Sequence, residues 1–576
     1  MSETQRLCVF LTEKPSRAGF GFFRYAREIT EQENPPASLR HIFSLMRMQQ
    51  CSFMVEEELR PNERCLRQID IAQTISRLPD HRRRVLRLTF FKSKRHQPIG
   101  AQTREEALHN WERDWHSFRQ LFKDPASDLK CLGFLYLYTD YAERRPQSSH
   151  VHAAVIASDN LESPNKYIHS SPMYTGCIHD LWFPVVGSYF AQQDTFVSCC
   201  YHTALMVCLK NIYSSLNLEC PATYEKMNEI VGIDYLERKV KDGLTPEEAL
   251  LILDELLNKP LRCTAEAINS ADYGRPNEVI AEAYHTVESA LPSVINFYNV
   301  YLSGKPMKEM GHAMAVVGHT FEAGLWQYHK GKLSHCEWPR YLGTPYQHHP
   351  SHLWAEELVI QDEASGPYCT LPWHALIDRS PGVIIPRFGW AGRVYPQQAQ
   401  LAAQSILNRG GETSSPFLNA ILHSNAAPVS EETNPWFFEV KRHVESHKDD
   451  MGQMTIPSYV LRTVPCTPQR YLEFLCQLAS PELCRIIESD LGDAPFWLVE
   501  ISVPHLFQWN NARLGEIIVP VSTSPSDLAH VYLVRLPGVL TLFEEDGSYT
   551  HYKIAGDYHY ALQTKELMPL KELLSV

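Results

Sequence analysis

Between residues 172 and 388 the sequence alternates between helical and strand patterns in a distinctive order. The stretch "GLTPEEALLILDELLNKP" (243–260) opens with a Thr-Pro cap signal and continues with apolar residues at helical spacing. We therefore expect a domain in which helices are followed by buried strands. The runs with the composition of buried strands are "PSVINFYN" (292–299), "HAMAVVG" (312–318) and "ELVIQD" (357–362).

The rest of the chain requires further domains. The whole chain has 576 residues, more than one hydrophobic core organises. Its composition, with 44% apolar and 21% charged residues, is that of a globular protein. We predict an α+β, multidomain chain. Its parts are an N-terminal α/β domain (1–171), the central domain (172–388), a connector rich in Gly, Ser and Pro (389–435) and a C-terminal α+β domain (436–576) with a helix at 468–490.

One run, "RRRVLRLTFFKSKR" (82–95), concentrates basic residues and is a candidate phosphate or nucleic-acid patch. Leu86, Leu88 and Phe90 alternate with Arg87, which is also the pattern of a strand whose basic face is solvated. The formal net charge of −13 favours the second interpretation. We therefore expect no nucleic-acid partner.

The sequence carries no sign of export or membrane insertion. Its start, "MSETQRLCVFLTEKPSR", lacks a basic region followed by an apolar one, and no stretch approaches 18 consecutive apolar residues. Fifteen cysteines spread over a long chain do not have the density of a disulfide framework. We expect a cytoplasmic location, reduced thiols and no membrane partner.

Two adjacent cysteines stand in "QQDTFVSCCYHTALM" (192–206), between a polar loop and a helical pattern. Ser198 suits the N-cap position, which would make Cys199 the first helical residue of a helix with one apolar face. The positive end of a helix dipole favours a thiolate, as a nucleophile requires. The structural alternative is a small buried side chain, the commonest role of a cysteine. Leu205, Cys208, Leu209 and Ile212 form the expected apolar face.

Three other residues of the chain could assist a thiol nucleophile. His312 begins an apolar strand and can act as the base, although it can also be an ordinary strand-end histidine. Asp362 ends the next strand-like run, where a carboxylate can hold the imidazole in one tautomer. Gln193 could offer its amide to an oxyanion, together with a backbone N–H of the nucleophile.

These residues resemble a known family. The pattern Q-x5-C-x6-M (Gln193, Cys199, Met206), followed by "GHAMAVVGH" and "VIQDEASGP", is similar to the papain-like cysteine peptidase superfamily, closest to its bacteriocin-processing branch, over roughly residues 185–388. The resemblance implies a helical half led by the cysteine and an antiparallel β half that carries histidine and a carboxylate or amide. It also implies roles for four residues: Cys199 as nucleophile, His312 as general acid and base, Asp362 as the orienting group and Gln193 as the oxyanion donor.

The sequence departs from the family pattern at two places. Cys200 follows the expected nucleophile, where the family often has glycine, and Cys200 is the alternative nucleophile at a less usual distance from Gln193. The interval from His312 to Asp362 requires an insertion, "EWPRYLGTPYQHHPSHLW", which could form a lid or a substrate-selecting loop.

The resulting expectation is a thiol hydrolase, a cysteine peptidase that cleaves an amide or isopeptide bond in a protein or peptide substrate through an acyl-enzyme. Acyl transfer, as in transglutaminases and deamidases, would use the same residues. A catalytically inactive papain-like binding module is the alternative from a different functional class.

Metal chemistry finds little support in the sequence. Neither of two groups of histidine and cysteine has the spacing of a zinc site. We expect no metal and no cofactor. The two groups are Cys177, His179, Cys200 and His202, and then His348, His349 and His352.

Overall fold

The computed structural model of the chain describes most of it in separate segments. Strands from distant segments pair into three seven-stranded sheets and one short hairpin. The described residues are 8–12, 21–59, 83–93, 100–101, 103–142, 145–158, 161, 166–192, 200–233, 243–269, 276–298, 311–322, 326–329, 332–335, 348–373, 375–376, 381–392, 394–408, 459–477, 479–502, 507, 513, 515–521, 532–536, 539–543, 549–554 and 570–574.

The first sheet is antiparallel, with the order β1-β2-β3-β4-β5-β8-β7. Helices α1 (Gly21–Thr30), α2 (Ala37–Met48) and α3 (Arg104–Lys123) accompany it. The strands up to residue 190 are β1 (Cys8–Thr12), β2 (Phe53–Leu59), β3 (Arg83–Lys92), β4 (Lys130–Ala142), β5 (Arg145–Ala157), β6 (Lys166–Ile168), β7 (Met173–Ile178) and β8 (Leu181–Phe190), of which β6 joins the second sheet.

The first sheet extends beyond the sequence-predicted end of the N-terminal domain at residue 171. Strand β8 pairs with β5, from Ala154↔Phe190 to Ala157↔Gly187, and β7 then pairs with β8. Residues 173–190 therefore complete the first sheet, and the helical part of the second unit begins at Cys200.

The basic run forms the expected strand, β3, but the prediction that its Arg87 faces solvent is wrong. Arg87 is fully buried, and its guanidinium lies 2.7 Å from the Glu57 carboxylate on the paired strand β2. It also donates to the Cys177 thiol on β7. The protein tolerates this buried charge because the Glu57 carboxylate and the Cys177 thiol, both buried, bond to the guanidinium.

The second sheet has the order β16-β15-β11-β10-β17-β9, and β6 pairs with the end of β11. Its helices are α4 (Cys200–Ser215), α5 (Tyr224–Ile230), α6 (Pro246–Leu261) and α7 (Pro276–Glu288). The strands are β9 (Cys263–Asn269), β10 (Ser293–Tyr298), β11 (Gly311–Thr320), β12 (Trp326–His329), β13 (Lys332–His335), β14 (His348–Pro350), β15 (Glu357–Asp362), β16 (Gly366–Pro372) and β17 (Gly382–Phe388), of which β12 and β13 form a separate hairpin and β14 joins the third sheet.

Helices cover both faces of the second sheet. Val279, Ala283 and Val287 of α7 share a hydrophobic core with residues of β10, β11 and β15, while α4 packs against β10 and β11. The sequence predicts one apolar face for α4, and this prediction is wrong. From Tyr201 to Leu209 every side chain is buried, because α4 also packs against β8 and α6.

The third sheet, β14-β18-β19-β20-β21-β22-β23, belongs mainly to the C-terminal part. The predicted single helix at 468–490 is two helices, because Ser480 caps a new helix that has Pro481 at its start. The elements are α8 (Pro396–Asn408), β18 (Tyr459–Cys466), α9 (Pro468–Leu475), α10 (Pro481–Leu491), β19 (Phe496–Ser502), β20 (Gly515–Val519), β21 (Leu533–Leu536), β22 (Val539–Phe543), β23 (Tyr549–Lys553) and α11 (Leu570–Leu574).

Two segments tie the third sheet to the rest of the chain. Strand β14, which lies within the predicted insertion, pairs in parallel with β18. Helix α8, within the predicted connector, packs against β18, β19 and β20.

The prediction of an α+β, multidomain chain is confirmed: helices accompany sheets that are antiparallel except at the β14–β18 pair. Among the helices in the described segments, none combines the length and the apolar character needed to cross a bilayer.

Candidate active site

Cys200 is the first residue of the buried helix α4 and keeps part of its surface exposed. The first backbone N–H groups of a helix have no partner within the helix, and they give its N-terminus a partial positive charge. The thiol therefore lies where negative charge is favoured.

His312 is the second residue of β11, and the sheet fixes its position. It pairs with Phe297 on β10, and the two rings contact edge to face with their centroids 6.0 Å apart. The His312 side chain is 22% exposed, so part of it is accessible to solvent. A histidine held in this way can face the N-terminus of α4, which packs on the same strand.

Asp362 ends β15, the strand beside β11. Its Oδ1 lies 3.2 Å from His312 Nε2. Burial by itself would raise the pKa of Asp362, but hydrogen bonds from His312, Ser365 and the Ala364 backbone outweigh burial and lower it. Asp362 is therefore a carboxylate that accepts the Nε2 proton of the ring.

His312 is also hydrogen bonded to the Cys200 thiol. Burial opposes a charged ring, but the hydrogen bonds to Asp362 and Cys200 and the charge of nearby Glu363 raise the pKa of His312 to about 10. The ring therefore favours the imidazolium form. Cys200, His312 and Asp362 form one hydrogen-bonded line.

Glu363 is a fourth member of the cluster, which the sequence analysis missed. Its Oε1 lies 3.6 Å from His312 Nδ1. Burial raises the pKa of Glu363 to about 7, the charge of Asp362 acts in the same direction, and His312 partly opposes it. The signal in the sequence was the acidic pair "DE" at the end of a strand, where both carboxylates can reach the neighbouring strand.

Replacing Glu363 by glutamine is expected to lower the pKa of His312 by about one unit, because it removes a negative charge close to the imidazolium. In the parent, the His312 signal in NMR of a chain with 13C-labelled histidine should sense a first transition near pH 7 and its own near pH 10. In Glu363→Gln the first transition should vanish and the second should move to lower pH. Glu357→Gln, at the other end of β15, is the control and should change neither.

The N-terminal part of the chain supports this cluster from the side. His41 Nε2 of α2 lies 2.9 Å from the Pro367 carbonyl oxygen at the start of β16. A Cβ atom on Gly366 would lie only 2.8 Å from the His41 ring, so only glycine fits between α2 and the turn that follows Asp362. Helix α2 is therefore seated against the carboxylate turn.

The same helix holds the chain just before the loop that leads to Cys200. The Gln192 side-chain oxygen accepts hydrogen bonds from Ser38 Oγ at 2.6 Å and from the Val151 backbone at 2.8 Å. Gln192 is thus an anchor between α2 and β5, another role that its position in the sequence did not reveal.

Two of the four residues predicted from the sequence, His312 and Asp362, are brought into contact. The other two, Gln193 and Cys199, lie outside the described residues, which resume at Cys200. Cys200, the alternative nucleophile in the sequence, is the described cysteine that bonds to His312.

The candidate metal ligands of the sequence analysis have other contacts. Cys177 accepts a hydrogen bond from Arg87, and His202 bonds to Asn228 at 2.9 Å. Oxygen and nitrogen donors of His312, Asp362 and Glu363 lie within 4.8 Å of one another and could hold a cation. Such an ion would compete with the hydrogen bond between His312 and Cys200.

No protein-family model and no curated protein matches the chain. Functional inference therefore rests on the chemistry of the Cys200–His312–Asp362 line.

Proposed function

We propose that the chain is a thiol hydrolase that cleaves an amide or isopeptide bond through an acyl-enzyme, in a papain-like domain. One observation supports the proposal: a partly exposed thiol at a helix N-terminus is hydrogen bonded to an imidazole that is also bonded to a carboxylate. A thiol, a base and an orienting group in that order are the requirements of nucleophilic catalysis by cysteine.

Cys200 is the nucleophile in this proposal. The spacing from Gln193 favours its neighbour Cys199. Among the described cysteines, Cys200 is the one hydrogen bonded to His312, and proton transfer from a thiol requires direct contact with the base. Asp362 bonds to Nε2 of the ring, and Glu363 Oε1 lies 3.6 Å from Nδ1.

The reaction follows from these contacts. The Cys200 thiolate attacks the carbonyl carbon, a carbon–sulfur bond forms, and the carbonyl electron pair moves onto oxygen. The tetrahedral state collapses, the carbon–nitrogen bond breaks, and the leaving amine takes the His312 proton. His312 then removes a proton from water as the water attacks the thioester, and the thiol leaves with that proton. Asp362 keeps the ring oriented throughout.

The developing oxyanion needs hydrogen-bond donors. Backbone N–H groups at the start of α4 are unpaired within the helix and supply one or more. We assign Gln193 as the side-chain donor, from its place a few residues before the nucleophile.

If this assignment holds, Gln193→Ala should slow the chemical step by on the order of 10²-fold and leave KM nearly unchanged, since the lost bond forms only in the tetrahedral state. Gln192→Ala is the matched control. Its side chain bonds to Ser38 and Val151, so its loss should reduce stability and spare the chemical step. The assignment fails if Gln192→Ala slows the chemical step and Gln193→Ala does not.

We propose a protein or peptide as substrate and a reducing compartment such as the cytoplasm. The first and third sheets belong to further parts of the chain, whose size favours a macromolecular partner over a small molecule. No disulfide joins two of the cysteines whose side chains are described, which suits a reducing compartment.

Acylation by a 4-nitrophenyl ester tests the reaction class without knowledge of the natural substrate. The full chain should release a burst of nitrophenolate equal to one equivalent, followed by slower turnover, and should gain the mass of one acyl group on Cys200. Release without a burst and without an acylated cysteine would contradict the proposal.

A further inference from the structure

We propose that His169, Glu288 and His319 form a buried site for one divalent transition-metal ion of the zinc type. His169 follows β6, Glu288 ends α7, and His319 lies near the end of β11. The three side chains are almost completely buried, with at most 3% of any of them exposed. They lie away from Cys200, toward the end of β11 opposite His312.

Three donor atoms converge on one point. His169 Nε2 lies 3.1 Å from His319 Nε2 and 3.2 Å from Glu288 Oε1, and His319 Nε2 lies 2.6 Å from the same oxygen. Ligands at the usual ~2.0–2.1 Å from zinc stand about 3.3 Å apart in tetrahedral geometry. Small outward movements of these atoms would therefore accommodate the ion.

The two ring nitrogens and the carboxylate oxygen favour a positive charge between them. His319 Nδ1 donates its proton to the Thr320 carbonyl oxygen at 2.8 Å, so a neutral His319 presents the Nε2 lone pair inward. Two inward N–H groups would oppose each other across the 3.1 Å between the ring nitrogens. One metal ion satisfies both nitrogens and the carboxylate together, and two imidazoles with a carboxylate are a zinc ligand set.

The surrounding contacts orient the ligands, as in known metal sites. The carbonyl of Thr320 fixes the tautomer of His319. Arg462 of β18 donates to Glu288 Oε2 at 2.6 Å, which leaves Oε1 for the ion, and Arg462 is itself paired with Glu500 at 2.8 Å. The ring of Tyr284 covers His319, with the ring centroids 4.7 Å apart.

The place of the site indicates a structural role. Its ligands come from the link between the first two sheets and from both α7 and β11 of the second unit, and Arg462 adds the third sheet. An ion here would fix three parts of the chain to one another without contact with the hydrolytic thiol.

Metal analysis of the full chain, freed of any affinity tag, tests the proposal. Elemental analysis should find one zinc ion per chain after purification. Removal with a chelator should lower the unfolding temperature, and added Zn²⁺ should restore it. Co²⁺ added to the stripped chain should give the visible absorption bands of a cation bound by nitrogen and oxygen ligands.

Matched variants locate the ion. His319→Gln and Glu288→Gln should lose it, whereas His352→Gln, a half-buried histidine near Tyr284, and His312→Ala, in the catalytic cluster, should retain it. A parent chain that neither contains metal nor takes up Zn²⁺ or Co²⁺ would overturn the proposal and leave a shared proton at the centre. Loss of the ion in His312→Ala alone would assign it to the other cluster.

Discussion

Cys200→Ala is expected to abolish the burst with a 4-nitrophenyl ester and to lower turnover by on the order of 10⁴-fold or more. The reason is that the only thiol bonded to His312 in the described chain would be gone, and alanine offers no nucleophile. The measurement is the stopped-flow release of nitrophenolate, with the mass of the acylated chain as a second readout.

Two cysteine variants are the controls for this result. Cys199→Ala should keep most of the turnover and the full burst. Cys208→Ala, two turns further along α4, should do the same, because burial raises the pKa of the Cys208 thiol and keeps it out of solvent. An abolished burst in Cys199→Ala, with a normal burst in Cys200→Ala, would move the nucleophile by one residue.

Arg87→Met is expected to weaken the first sheet by about 3–5 kcal/mol, because it leaves the buried Glu57 carboxylate without its cation. Hydrogen exchange of peptides from β3 and β4 reports the free energy of opening of that sheet. Catalysis should suffer only through loss of folded chain.

The controls are a double variant that removes both charges of the buried pair and a variant of a neighbouring arginine. Arg87→Met with Glu57→Leu should recover most of the loss, since two apolar side chains replace a buried pair at little cost. Arg84→Met, on the same strand, removes a cation that lies 3.5 Å from the exposed Glu58 and 3.8 Å from the buried Glu56. Because Glu56 keeps its ion pair with Arg104, this change should cost less than Arg87→Met. Equal losses in Arg84→Met and Arg87→Met would contradict the role of burial.

The order of elements in the second unit could be predicted from the sequence, because local periodicity and caps specify it. The capping box of Thr245 and Glu248 is present as expected, and the strands around His312 and Asp362 have the predicted bounds within two residues. The contact between these two side chains followed from their positions at the ends of strands that pair with each other.

Pairing between distant segments could not be predicted in the same way. Nothing local indicates that β7 and β8 add to the first sheet or that β14 joins β18, because edge strands of different sheets have similar compositions. The burial of Arg87 was hidden for the same reason, since it depends on Glu57 and Cys177 in other strands. The start of a new helix after Ser480 could have been predicted from the sequence, because a serine before a proline is a helix start signal.

The most direct test of the account is the site of first alkylation in the native chain. Iodoacetamide at low excess, followed by peptide mapping, should modify Cys200 before the exposed Cys476, and His312→Ala should slow the reaction at Cys200 alone by about tenfold or more. Cys131, Cys263 and Cys466, where burial raises the pKa of each thiol to about 12, should stay unmodified. If Cys200 reacts no faster than Cys476, and at the same rate in His312→Ala, the thiol is not an activated nucleophile and the proposed hydrolase mechanism is contradicted.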